Sequence, residues 1–231
     1  MRIISWNCCL AFRNKAAAII AYTPDIVVLQ ESEQIDRITK SPFYSAVTDS
    51  VWLGDNPSKG LGIISFSSYR FKLLSAHSDD FKYVAPIHVS GPMEFTLIAV
   101  WARHDKYLTY NGVIKFALKH YIDILLDPCM VIGDWNANAI WDSQTGEGFS
   151  FNAGVLAAHG MSSAYHSWFA EAYGHETRPT HYHRKNKGAG FHIDYCHLSP
   201  QLRGKLRSVS VGSFDDWHRL SDHVPFIVDL D

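Results

Sequence analysis

Apolar runs of strand length in this chain repeatedly meet a polar residue capable of chemistry, and that arrangement restricts the fold more than any other feature. Ser5-Trp6-Asn7 closes the run at 2–6, Leu29-Gln30-Glu31 closes the run at 26–29, and Gly133-Asp134-Trp135-Asn136 follows 129–132. Ser221-Asp222-His223-Val224-Pro225 precedes a run at 226–230, and His192-Ile193-Asp194-Tyr195 sets a carboxylate inside another. Between the first two runs, 15–21 reads as a helix that stops before Pro24, because the residue before a proline is pushed out of the helical region. Strand, helix and strand in close succession predict a parallel crossover unit. Ligand sites gather at the carboxyl ends of such strands.

Further β-like runs at 61–66, 71–75, 83–89 and 95–100, separated by Ser, Asp, Gly and Pro, predict a meander. The clearest helix is marked by Tyr110, Val113, Ile114, Ala117, Leu118, Tyr121, Ile122 and Leu125, one apolar face ending before Asp127-Pro128. Strands at 191–198, 206–211 and 226–230 follow, with a helix at about 151–159. Strand-rich halves on either side of the helix at 107–126 predict an α/β fold with two sheets packed face to face and helices outside. No linker, charge block or repeat interrupts the chain, so a single domain over 1–231 is expected.

Composition narrows the class. With 47% hydrophobic residues the 231-residue chain can build its interior without staples. Cys8, Cys9, Cys129 and Cys196 form no CxxC pair and read as reduced core residues, with Cys8 and Cys9 on opposite faces of a strand. Against 23 Asp+Glu stand 21 Lys+Arg, so any contact with a polyanion must be local. No run reaches the roughly 18 apolar residues of a membrane span. The first residues enter a strand pattern at once, leaving no room for a signal peptide, so a cytoplasmic monomer without membrane attachment is expected.

Taken singly, a strand-end Asn or Asp serves as a turn or helix cap, and a strand Asp satisfies a buried partner. Together and in this order, Trp6-Asn7, Gln30-Glu31, Gly133-Asp134-Trp135-Asn136, Ile193-Asp194-Tyr195 and Ser221-Asp222-His223-Val224-Pro225 resemble the endonuclease/exonuclease/phosphatase family. DNase I, exonuclease III, apurinic endonucleases, sphingomyelinases and inositol polyphosphate 5-phosphatases belong to it. The resemblance runs through nearly the whole chain and implies a four-layer α/β sandwich, two packed mixed β-sheets flanked by helices, with the site at one sheet edge.

It also implies roles. Glu31 matches the principal metal carboxylate, Asn7 the amide that orders the metal's water shell, and Asp222 a further metal or water-shell carboxylate. Hard oxygen ligands of this kind suit Mg²⁺, for which Mn²⁺ can substitute. Asp134 matches the residue that orients or deprotonates the attacking water, and Asn136 the one that holds a nonbridging phosphate oxygen. His223 matches the histidine that contacts the phosphate, with Asp194 as the carboxylate that orients it. The chemistry needs such a set, because a phosphodiester is already anionic and its transition state needs further positive charge and an aimed water.

One position departs from the resemblance. After the strand at 95–100 relatives carry a His or Tyr that touches phosphate or leaving group, whereas this chain has Trp101. An indole cannot transfer a proton. Either Trp101 is a packing wall or His104 turns back into the site. Two readings also stay open for the loop between Thr177 and Phe191, which holds Arg184, Lys185 and Lys187 among rings: a solvated loop, or a phosphate-tracking arm. Lys59-Gly60 reads as a plain turn or a phosphate-facing one, and His181-x-His183 lacks partners at zinc-site spacing. Trp135 and Trp141 read as wedges, while Asn138 can reach the site through the turn of Asn136.

A Mg²⁺-dependent phosphodiesterase acting on nucleic acid, DNA first, is the expectation. A phosphoesterase of a small or lipid substrate would use the same core, and a third reading is a binding module that has lost catalysis. The seven matched polar positions are all filled by competent residues, which weighs against that last reading.

Overall fold

The computed structural model describes all residues except 40, 105, 127 and 144–147. In chain order the strands are β1 (Arg2–Asn7), β2 (Ile26–Ser32), β3 (Asp49–Asn56), β4 (Lys59–Ser65), β5 (Arg70–Leu73), β6 (Val84–Ser90) and β7 (Phe95–Trp101). There follow β8 (Cys129–Asp134), β9 (Ser162–Ser163), β10 (His181–Tyr182), β11 (Gly190–Phe191), β12 (Asp194–Leu198), β13 (Leu206–Val211) and β14 (Phe226–Leu230). The helices that cover them are α1 (Ala16–Ile20), α2 (Ile35–Ile38), α3 (Tyr110–His120), α4 (Phe149–Ala158), α5 (Ala164–Phe169), α6 (Pro200–Arg203) and α7 (Phe214–Trp217).

One six-stranded sheet has the order β13-β14-β1-β2-β4-β3 and the other β5-β6-β7-β8-β12-β9. Each is mixed, with one parallel pair at its centre: β1 beside β2, and β7 beside β8. Alternation along the strands makes the layers. Ile3 and Val28 face the second sheet, joining Ala85, Leu97, Met130 and Cys196 in the inner core. Their neighbours Ile4 and Val27 face outward onto Ala16, Ile19, Ile38 and Trp217 of α1, α2 and α7. On the other side Ile98 and Val131 pack against Val113, Ile114, Phe149 and Leu156 of α3 and α4. Each such side chain contributes about 1.5–3 kcal/mol by leaving water, which holds the four layers together.

Several predicted boundaries move, each for a local reason. The helix expected over 107–126 begins only after Thr109, whose hydroxyl accepts from the Gly112 amide, and α3 ends at His120. The buried Tyr121 hydroxyl then donates to Val84 O at 3.0 Å, and the chain tightens into a 3₁₀ turn over Ile122–Ile124; Asp127 of the expected stop lies outside the described residues. The run expected over 191–198 is broken, because Thr180 Oγ1 takes the amides of Ile193 and Asp194, so β12 starts at Asp194. Strand β3 was not legible, since this edge strand is nowhere fully buried and its only apolar run is the short Val51-Trp52-Leu53. Cys8 and Cys9 fall beyond β1. All four thiols are free, but only Cys8, Cys129 and Cys196 are core residues. Among the described residues no helix is long and apolar enough to cross a membrane.

Candidate active site

The two parallel pairs end at the same side of the molecule, and their last residues are the polar ones. Asn7 pairs with Gln30 at the end of β1 and β2, and Trp101 with Asp134 at the end of β7 and β8. Asp134 also faces Asp194 across the β8–β12 ladder, so three candidate positions lie side by side on adjacent strands. Close approach of β7 to β8 requires Gly133: its φ is 148°, and a Cβ there would come within 1.9 Å of Val100 O. Local backbone then aims two side chains. Glu31 lies where the β2–β4 register slips and has φ 58°, and Asn136 has φ 49° in the turn after Asp134. A left-handed Glu is costly by about 1–2 kcal/mol and persists only where packing enforces it.

A cleft of about 410 Å³ opens at this edge, lined among others by Asn7, Glu31, Trp101, His104, Asn136, Asp222 and His223. Asp134 lies fully buried behind three of these residues, Asn7, Asn136 and His223. Its Oδ1 accepts from the Asn136 amide at 2.9 Å, and its Oδ2 from Asn7 Nδ2 at 3.0 Å and Asn136 Nδ2 at 3.1 Å. His223 Nδ1 is 2.9 Å from Asp194 Oδ2, and its Nε2 is 3.9 Å from Asp134 Oδ2. The imidazole thus stands between two buried carboxylates. Ser221 ties this segment to β1 by donating to Asn7 O at 2.7 Å, and Trp6 Nε1 donates to His223 O at 3.0 Å.

Electrostatics follow from that enclosure. Burial pushes the Asp134 carboxyl up, with the Asp194 charge adding to it and His223 and the Asn7 bond opposing, to about 7. Burial pushes His223 down, but the charges of Asp194 and Asp134 and the Asp194 hydrogen bond outweigh it and raise the ring to about 9. Around neutral pH a cationic ring beside a carboxylate poised to take a proton is the arrangement that general acid–base chemistry uses. For Asp222 burial is outweighed by His181 and by the His223 charge, which hold it well below the usual carboxylate range.

Among the described residues, potential metal ligands stand at two places along this edge. Ligand atoms of Asp134, Asp194 and His223 all lie within 4.8 Å of one another, but His223 Nδ1 is already committed to Asp194, which makes this a proton-sharing cluster rather than a cation site. Glu31, Asn7 and Asp222 instead line the open cleft with oxygen donors. Glu31 Oε2 pairs with Lys59 Nζ at 3.1 Å, so the carboxylate already draws a cation to itself. That donor set fits a hard divalent ion.

Other positions fall less simply. Trp101 is buried in the inner core with its edge on the cleft, and the exposed His104 sits on the lip against Tyr110 at 5.0 Å between ring centres. Asn138 does not reach the cleft: its amide donates to His192 O, Tyr195 Oη and Glu176, and its oxygen accepts from Ile140 N. Of the basic arm, Lys187 is drawn to Asp215 at 2.6 Å, while Arg184 and Lys185 have no carboxylate partner among the described residues. None of the three lines the cleft. Arg103, which carries no signal in the sequence, Lys59 and His181, which have no assigned role there, and Tyr110, which also packs on the outer core, all line the cleft. Beside it, a second cleft of about 410 Å³ shares Tyr110, Asn136 and His181 and is walled by Trp141 and Phe191, their rings 5.0 Å apart.

Neither a protein-family model nor a curated protein matches the sequence. Solved structures do. A 3′ phosphatase from Neisseria, bound to a product DNA hairpin, superposes with a TM-score of 0.70 at 21% identity, covering 100% of this chain and 99% of that one. An apurinic endonuclease from Archaeoglobus fulgidus gives 0.71 at 18% identity, over 100% and 99% of the two chains. An endonuclease/exonuclease/phosphatase protein from Beutenbergia cavernae gives 0.64 at 15%, over 100% of this chain and 71% of that one. The fold is that of the endonuclease/exonuclease/phosphatase family. Its four-layer sandwich places the edge cleft where the residues matched in sequence converge.

Proposed function

We propose that this protein is a Mg²⁺-dependent phosphodiester hydrolase acting on nucleic acid, DNA above all. The observation that carries the reading is the buried line Asp194, His223, Asp134, with His223 hydrogen-bonded to Asp194 and 3.9 Å from Asp134, behind a cleft that His223 lines together with Glu31, Asn7 and Asp222. Those three oxygen donors would hold the divalent ion, which supplies positive charge against the phosphate when bound. Asp134 takes the proton of the attacking water, fixed in place by Asn7 and Asn136. His223, cationic through Asp194, steadies the charge that grows on the phosphate oxygens. Both amide hydrogens of Asn136 are engaged, by Ala102 O and Asp134, so its grip on a phosphate oxygen requires exchange of one of these bonds.

Nucleic acid is favoured by the adjoining cleft. Trp141, half exposed, and Phe191 offer flat apolar faces next to the phosphate position, as a sugar or base requires. Likeness to a phosphatase bound to a DNA hairpin and to an apurinic endonuclease supports the same substrate class. The test is purified protein with Mg²⁺ against single-stranded, duplex, nicked and abasic DNA, DNA with a 3′ phosphate, RNA, and bis(p-nitrophenyl) phosphate. Cleavage of one or more DNA forms is expected. Hydrolysis of the synthetic diester with every nucleic acid intact would replace this reading by a small-substrate phosphoesterase.

A further inference from the structure

The cleft wall at position 101 is built from a stacked cation rather than from a proton donor. Trp101 is buried, and the Arg103 guanidinium lies over its ring at 4.8 Å, while also lying 5.0 Å from the Tyr83 ring. Tyr83 meets Trp101 edge-on at 4.9 Å, and its hydroxyl donates to Asp55 at 3.2 Å, so the platform is anchored from behind. Lys59 also lies over the indole, at 5.6 Å, but its charge is taken by Glu31. Arg103 makes no ion pair within 4.0 Å among the described residues, although its charge acts on Asp55 nearby. It stands exposed where the cleft meets a smaller recess of about 250 Å³ lined by Asp55, Lys82 and Tyr83.

A stacked guanidinium keeps its N–H donors in the plane of the group, free to bind two oxygens of a phosphate at once. Stacking also limits the conformations the side chain must give up on binding, which raises the return on each bond formed. We propose that Arg103 grips the phosphate on the leaving-group side, supplying by fixed charge what a proton donor at position 101 would supply. The inference rests on the hydrolase reading above. In the step, the water oxygen forms a bond to phosphorus as its proton passes to Asp134. The bond from phosphorus to the leaving alcohol breaks with its electron pair on the alcohol oxygen, which then takes a proton from bulk water. Arg103 meets the negative charge while it grows on that oxygen. Trp101 is a positioning residue that holds the guanidinium there.

Charge on the leaving oxygen makes the test specific. An alkyl leaving group needs stabilisation that an aryl oxide such as p-nitrophenolate largely supplies for itself. Arg103→Ala should slow single-turnover cleavage of a DNA diester by roughly 10² or more, and that loss should exceed the loss on bis(p-nitrophenyl) phosphate by about tenfold. Arg103→Lys, which keeps the charge but not the planar fork, should recover part of the DNA rate. Trp101→Leu should lower the rate in the wild-type background and have little further effect once Arg103 is gone. Thermal unfolding of each variant checks that the fold is kept. Equal losses on the two diesters, or no loss on DNA, would overturn the role of Arg103. Wild-type protein inert on both would overturn the hydrolase reading, and this inference with it.

Discussion

Replacing Asp194 by Asn removes one buried charge while nearly keeping the shape of the hydrogen bond to His223, and its effect can be worked out from the site. Burial alone would lower the ring; Asp194 and Asp134 carry it instead from the ordinary value of 6.5 to about 9. At about 1.4 kcal/mol per pH unit this gap corresponds to stabilisation on the order of 3 kcal/mol. Because the folded-state value is raised, that contribution is complete below about 6.5 and lost as pH rises through about 9. An amide supplies no charge, so in the variant the ring falls back and the part that Asp194 contributes disappears. Urea unfolding in EDTA at about pH 6 and about pH 10 measures it: the wild type should lose more stability than Asp194→Asn across that interval, by at most on the order of 3 kcal/mol because Asp134 still raises the ring in the variant. At neutral pH the variant should also cleave roughly 10² more slowly in single turnover. Asp194→Ala and His223→Ala together should cost little more than the worse of the two alone, since Asp194 acts through the ring. Parallel stability curves for wild type and Asp194→Asn, or log-rate losses that add in the double variant, would refute the pairing argument.

Further expectations concern the metal, the backbone, the buried network and the arm. Activity should require Mg²⁺ or Mn²⁺ and vanish in EDTA, and Glu31→Gln should lose most of the rate with an unchanged circular-dichroism melt; wild-type turnover in chelator or in that variant would count against the assignment. Gly133→Ala, which drives a methyl into Val100 O, should destabilise by about 3 kcal/mol or more by urea unfolding, whereas a loss under about 1 kcal/mol would show that β7 and β8 can part. For Glu176, burial is outweighed by the bonds from His166 and Asn138, which hold the carboxyl at about 2 against 4.5. Its stabilisation is therefore present above about 4.5 and lost as pH falls toward 2, and Glu176→Gln should flatten that acid limb by on the order of 3 kcal/mol. Replacing Arg184, Lys185 and Lys187 by Ser should flatten the salt dependence of DNA binding by about 0.7–0.9 log units per lost phosphate contact, with Lys187 contributing least because Asp215 already holds it. An unaltered salt slope would remove the arm from the interface.

The layers were legible because strand alternation writes both faces into one run. Ile3 and Ile4, or Val27 and Val28, are adjacent in sequence and lie in different cores, so an unbroken apolar run already says that both faces are covered. Polar residues that end such runs were legible for the same reason, since Asn7, Glu31 and Asp134 interrupt runs that are otherwise apolar, Asn7 and Asp134 while staying buried. What failed were features decided by a partner distant in sequence. Strand β3 exists because β4 gives it an edge to pair with, and β12 starts where Thr180 takes two amides. Asn138 follows the same Gly-Asp turn as Asn136, yet its side chain is spent on His192, Tyr195 and Glu176.

The cations of the cleft show the same limit from the other side. Lys59 meets Glu31 only because β4 runs antiparallel to β2 with Gly60 opposite Ser32, a register that nothing around Lys59 announces. Arg103 is two residues beyond Trp101, in a segment with no periodicity, and the Tyr83 ring that shares its stack comes from the turn before β6. Tyr110 fits the apolar stripe of α3 and packs against the outer core, but as that helix's first residue it also reaches the cleft. Acids and amides at strand ends are held by backbone geometry and can be read from a run of residues. Cations that face them come from long side chains on other strands and turns, so their contribution enters only with the pairing of the sheets.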